Sequence, residues 1–220
     1  MTTVERLKDS LPSQWRALIE HPFVVGIGEG TAPHGQFSYF LMQDALYLGD
    51  FLSTLALAAA MAPRREWTET LLRHAQNVTT VEEALHASLL PSFGVSPARL
   101  GSAQPGLITA AYTDHLVRTA LGRTFPEVIA AVLPCYLSYQ EIGLSLQAHY
   151  HCPDPLYREW IETYAGEEYG VAVAELLSIA NSLAIGGEDF ERMKGVFARS
   201  VGYESLFWSQ AAAEGHLLVS

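Results

Sequence analysis

The sequence predicts an all-α helical bundle, a single domain over residues 1–220, on three observations. Apolar residues recur at three- and four-residue steps along most of the chain, and the only β-like run is the brief FVVGI from Phe23 to Ile27. Apolar residues make up 49% of the 220 and charged residues 17%, the balance of a packed chain with a sizeable core. The periodic stretches are parted by short breaks marked by Gly, Pro or capping residues, with no repeat, low-complexity tract or linker.

Val4 to Glu20 reads as an amphipathic helix through Leu7, Leu11, Trp15, Leu18 and Ile19. GIGEGTAPHGQ, Gly26 to Gln36, reads as a loop. Phe37 to Met61 is a long apolar helix closed by Ala62-Pro63. Its run LSTLALAAAMA is about half the length of a membrane span and reads as core. Glu66 to Leu90 follows, with a break near NVTTVEE where Thr80 and Glu83 have capping-box spacing. PSFGVSPARLGSAQPG reads as a non-helical connector. Leu107 to Leu121, Phe125 to Tyr150, Pro155 to Tyr164, Glu168 to Ile185 and Glu188 to Glu214 complete a set of about eight or nine helices.

The formal charge is −11, which disfavours a phosphate-tracking nucleic-acid surface. The N-terminus has no apolar segment of the signal-peptide kind. Cys135 and Cys152 are the only cysteines, too few for a disulfide framework and better suited to a reducing compartment. A cytoplasmic protein without membrane or nucleic-acid partners is expected. Cys152, in HYHCPDP, reads as a loop or helix-end thiol with no role.

Pro134 interrupts an apolar helical run immediately before Cys135. A proline there either kinks the helix or starts a new one. A restart would put the thiol at a partly positive helix end, which lowers its pKa. Tyr139 shares the face of Cys135 by a four-residue step, as Tyr47 shares that of Asp44 by a three-residue step. Glu204 precedes Phe207 and Trp208 by one helical step, and Tyr112 and Tyr164 are further phenols in apolar surroundings. Taken singly, each has a structural reading: a small buried thiol, solvated carboxylates, core tyrosines. Jointly they describe a pocket between helices suited to a flat heterocycle, with rings for its faces and carboxylates for its polar edge.

Four segments resemble the TenA family (thiaminase II, aminopyrimidine aminohydrolase): HPFVVGIGEGT, FSYFLMQDALYLGDF, AAVLPCYLSYQEIG and YESLFW. Their order and spacing match along nearly the whole chain, and Cys135 places it in the cysteine-containing branch. The resemblance implies a haem-oxygenase-like fold and a hydrolase of thiamine salvage. Its reaction would turn 4-amino-5-aminomethyl-2-methylpyrimidine into the hydroxymethylpyrimidine and ammonia, with thiamine as a further substrate. It also implies Cys135 as nucleophile, Asp44 as anchor of the pyrimidine amino group and Glu204 as acid/base. Tyr47, Tyr112, Tyr139, Tyr164 and Phe207 would line the pocket, with no metal or organic cofactor and a homotetrameric assembly.

Two rival classes fit parts of the sequence. Glu83-x-x-His86 has the spacing of a di-iron carboxylate helix, which the same scaffold hosts, but no second such motif follows. His74 and His115 have no carboxylate at matching spacing, and no histidine stands out as a haem ligand. A non-catalytic pyrimidine or thiamine carrier would keep the pocket, although binding alone needs neither the thiol nor Glu204.

Overall fold

A computed structural model describes residues 1–78, 80 and 83–215, the side chains of residues 83, 84 and 86 excepted. Among the described residues there are twelve helices and no strand. The N-terminal amphipathic run is two helices, α1 (Thr3–Asp9) and α2 (Pro12–Ile19). Pro12 takes the first position of α2, where its missing N–H costs nothing, so the chain restarts instead of continuing. The predicted apolar face survives the break, with Leu7, Trp15 and Leu18 buried. Glu141 holds both pieces, accepting from Lys8 and, at 2.7 Å, from Trp15 Nε1.

The glycine-rich loop expected from Gly26 is in part helical. α3 (Pro22–Glu29) runs through Gly26 and Gly28 and ends at Gly30, whose φ of 72° is the left-handed C-cap. A Cβ on Gly28 would stand 2.7 Å from Leu146 Cδ2, so this glycine serves close helix packing. α4 (His34–Met61) begins before the expected Phe37. α5 (Arg65–Asn77) and α6 (Glu83–Ser92) follow; between them, where a break was expected, the described Val78 and Thr80 are π-helical. The Thr80 hydroxyl donates back to the Gln76 carbonyl at 2.7 Å; its expected capping partner, the Glu83 side chain, lies outside the described residues. The predicted connector contains a short helix, α7 (Pro97–Gly101), capped by Ser96 Oγ, which accepts from the Arg99 amide.

α8 (Leu107–Gly122), α9 (Phe125–His149), α10 (Pro155–Ala165), α11 (Glu167–Asn181) and α12 (Gly187–Ala212) complete the bundle. α9 is its central post, packing on α12, α10, α11, α8 and α4. Every residue from Val128 to Pro134 is buried, so two turns of α9 face protein on all sides. α4 and α9 are long and apolar enough to cross a membrane. In this fold both are core helices, and α4 buries Gln43, Asp44 and Thr54 beside its apolar face.

Pro134 does not start a new helix. α9 runs unbroken through it, and the Ala130 carbonyl loses only the bond a proline N–H cannot give. Cys135 therefore sits mid-helix, without the positive helix end that a restart would have supplied. Gly143 lets α9 touch α10: a Cβ there would stand 2.7 Å from both Ala165 N and the Tyr164 carbonyl carbon. That approach sets Tyr164 beside Tyr139, one helical turn before Gly143.

Candidate active site

Five helices bring the predicted residues together. α4 supplies Asp44 and Tyr47, α8 Tyr112, α9 Cys135 and Tyr139, and α12 Glu204 and Phe207; α10 adds Tyr164 at the edge. All are buried except Cys135, which is partly exposed. The Tyr112 hydroxyl donates to Glu204 Oε1 at 2.6 Å. Tyr139 is close enough to Asp44, Glu204, Tyr164 and Cys135 that their charges, after burial itself, hold its phenol well above the usual range. Tyr47 and Tyr112 are raised in the same way, burial first and then the charges of Cys135 and Glu204.

Glu204 is the unusual carboxyl. Burial raises it most, the bond from Tyr112 pulls it back in part, the charge of Asp44 raises it again, and the balance stands at about 8. At neutral pH it carries a proton and can donate it. The Tyr47 and Tyr112 hydroxyls are near enough to affect one another. Tyr47 Oη is nonetheless buried without a hydrogen-bond partner of ordinary geometry.

Ring contacts of 4.8 to 6.2 Å run without a break from Tyr47 through Phe51, Tyr136, Tyr169, Tyr164 and Tyr139. They return to Tyr47 by Trp208, Phe40 and Phe207. A cleft of about 460 Å³ reaches this aromatic circuit between α5 and the α10–α11 corner. Of the predicted residues only Cys135 lines it, with Phe51, His74, Tyr136 and Tyr169; Asp44, Tyr47, Tyr112, Tyr139, Tyr164, Glu204 and Phe207 are buried and outside that lining. A larger surface cleft of about 930 Å³ between α8 and α12 contains none of the predicted residues.

Several contributors were missed in the sequence. Gln43 Oε1 accepts from the Gly106 amide at 2.7 Å and from Thr109 Oγ1 at 2.6 Å. It thereby fixes the start of α8, and with it Tyr112 one turn later. His74 does have a carboxylate, Glu175 at 2.9 Å, and its other ring nitrogen meets Tyr136 Oη at 3.1 Å. With His74 and Glu175 101 positions apart, no local spacing could have signalled the pair. Cys152 is a buried thiol that donates to the Ile27 carbonyl at 3.2 Å and ties the α9–α10 loop to α3. Among the described residues, no three His, Cys, Asp or Glu side chains converge as metal ligands would; the Glu83 and His86 side chains lie outside them.

An all-α bundle with a thiol, a protonated glutamate and an aromatic enclosure defines the class. A profile of the TENA/THI-4/PQQC family matches residues 8–215, and the chain belongs to that family. It is 34% identical over 211 residues to the aminopyrimidine aminohydrolase of Bacillus subtilis (strain 168), covering 94% of this chain and 88% of that protein. A TenA homologue from P. horikoshii OT3 superposes with a TM-score of 0.90 at 29% identity, covering 97% of this chain and 100% of that one. A haem-oxygenase-like domain from Shewanella denitrificans OS217 superposes at 0.75 with 13% identity, over 94% of this chain and 91% of that one, a likeness of fold alone.

Proposed function

We propose that the protein is a hydrolase of thiamine salvage, releasing ammonia from 4-amino-5-aminomethyl-2-methylpyrimidine and leaving the hydroxymethylpyrimidine. The observation that carries this reading is the meeting of Cys135, Asp44 and Glu204, from three helices, around Tyr139. Similarity to an aminopyrimidine aminohydrolase over most of both chains supports the substrate class. Thiamine, with a thiazolium in place of the amine, is the second substrate of the same site.

In this reading the pyrimidine lies among Tyr47, Tyr112, Tyr139, Tyr164 and Phe207, with its amino group and a ring nitrogen on Asp44. The buried Tyr47 hydroxyl gains a polar partner from the substrate edge. Cys135 sulfur adds to ring carbon 6 while Glu204 gives its proton to ring nitrogen 1, which breaks aromaticity. The 4-amino nitrogen, losing a proton to Asp44, then pushes electrons through the ring and expels the exocyclic amine, which leaves as ammonia with the proton the thiol released. Water adds to the resulting methylene as Asp44 returns its proton to the 4-nitrogen, and the proton the water loses goes to the thiolate when that is expelled. Expulsion of the thiolate, with the nitrogen 1 proton going back to Glu204, restores the aromatic ring.

The reading takes the chain as one cytoplasmic domain acting in a homotetramer. Leu107, Leu121 and Leu206 remain exposed on the single chain, and light scattering on the purified protein measures the assembly. The functional test is an ammonia-release assay on the aminopyrimidine beside thiazole release from thiamine. Ammonia release at enzymatic rates is expected. Tight pyrimidine binding without ammonia would make the protein a carrier instead.

A further inference from the structure

Cys135 shares its cleft with a second polar system. His74 is buried on α5, and its Nε2 lies 2.9 Å from Glu175 Oε2 on α11. Glu175 is ionised: its partial burial pushes its carboxyl up, but hydrogen bonds from His74 and Arg73 bring it below the usual range. A carboxylate only accepts, so His74 Nε2 carries the hydrogen. Burial holds the imidazole neutral, against the opposing pull of Glu175, which leaves Nδ1 bare. The Tyr136 hydroxyl, 3.1 Å away, therefore donates to Nδ1.

The result is a carboxylate–imidazole–hydroxyl line. Tyr136 follows Cys135 in α9, and His74, Tyr136 and Cys135 line the same 460 Å³ cleft. Glu204 is buried, bonded to Tyr112 and not in the lining of this cleft, and it has one proton to give. The reaction proposed above also moves a thiol proton, an amine proton and a water proton. A phenol that donates to His74 can still accept at its oxygen.

We propose that Tyr136, backed by His74 and Glu175 as positioning residues, is the proton-transfer group on the cleft side of Cys135. This rests on the hydrolase reading for its substrate, though not for its action on the thiol. As the sulfur–carbon 6 bond forms, the thiol proton passes to Tyr136 oxygen and the Tyr136 proton to His74 Nδ1, giving an imidazolium beside Glu175. The proton returns along the same line to the departing amine as the carbon–nitrogen bond breaks. The relay then takes a proton from the attacking water and delivers it to the expelled thiolate. It ends as it began.

Two measurements on the full chain test this, with Tyr136→Phe, His74→Gln and Glu175→Gln. The first is the rate at which iodoacetamide alkylates Cys135 at pH 7, read by peptide mass spectrometry without substrate. Slowing of about tenfold in Tyr136→Phe and His74→Gln is expected. The second is ammonia release: kcat is expected to fall about 100-fold in Tyr136→Phe, with KM within about twofold and an unchanged unfolding midpoint. Wild-type alkylation and kcat in Tyr136→Phe would overturn the proposal, as would losses that merely track a fall in the unfolding midpoint. If the wild type releases no ammonia while alkylation still slows in the variants, the substrate reading falls and the action on the thiol stands.

Discussion

Tyr112 donates its hydroxyl to Glu204 Oε1 at 2.6 Å, joining α8 to α12 at a buried carboxyl held at about pH 8. This phenol stabilises the charged form of Glu204, while burial and Asp44 favour the protonated one. The balance keeps the proton on Glu204 at neutral pH and ready for transfer.

If Glu204 acts as the acid, kcat/KM should fall as pH rises past about 8, on a limb that disappears in Glu204→Gln. Tyr112→Phe removes the one contact that lowers the Glu204 pKa, so the limb should move upward. The pH–rate profiles of the wild type and both variants measure this.

The same carboxyl leaves a mark on stability. Its pKa is about 8 in the folded chain against an unperturbed 4.5, so between those values the folded state holds the extra proton. Stability therefore declines as pH rises through that window, and the cost is fully present above about 8. Glu204→Gln does not titrate. Relative to it, the wild type should lose roughly 3 kcal/mol between about pH 5.5 and 8.5, read from urea unfolding at the two pH values.

Asp44 has two predicted effects beside the fall in kcat that follows from losing the acceptor of the 4-amino proton. As the anchor of the amino group, its replacement in Asp44→Asn should raise KM for the aminopyrimidine about tenfold or more, the worth of a hydrogen bond to a charged group. As a charge that raises Glu204, its loss should move the alkaline limb downward. Steady-state kinetics across pH reads both.

Gly143→Ala tests how the pocket edge is held. Its Cβ would meet backbone atoms of Tyr164 and Ala165 at 2.7 Å, and backbone cannot yield cheaply. A net loss of about 1–2 kcal/mol is expected, overpacking outweighing the gain in helix propensity. KM should rise as Tyr164 is pushed against Tyr139. Thermal unfolding and kinetics on the same preparation check it.

Much of this was legible because helical period and punctuation are local. α4, α8, α9 and α10 follow from apolar spacing, prolines and caps. Asp44–Tyr47, Cys135–Tyr139 and Glu204–Phe207 follow from one-turn steps. The errors arose where a residue's usual local meaning gave way to packing. Gly26 and Gly28 read as loop but let α3 lie against its neighbours. Pro134 read as a possible restart, yet the surrounding core holds α9 continuous. Gln43 fastens α8 through contacts more than 60 positions away that no local spacing signals. The His74–Tyr136–Glu175 line was invisible because its members come from three helices far apart in sequence.

The central claim is that Cys135 attacks the pyrimidine covalently. Its most direct test is single-turnover ammonia release from 4-amino-5-aminomethyl-2-methylpyrimidine by the wild type and Cys135→Ser, both shown folded by circular dichroism. The account predicts a loss of at least about 1,000-fold in Cys135→Ser, the scale on which removing an essential nucleophile is felt. Turnover near the wild-type rate in Cys135→Ser would contradict it.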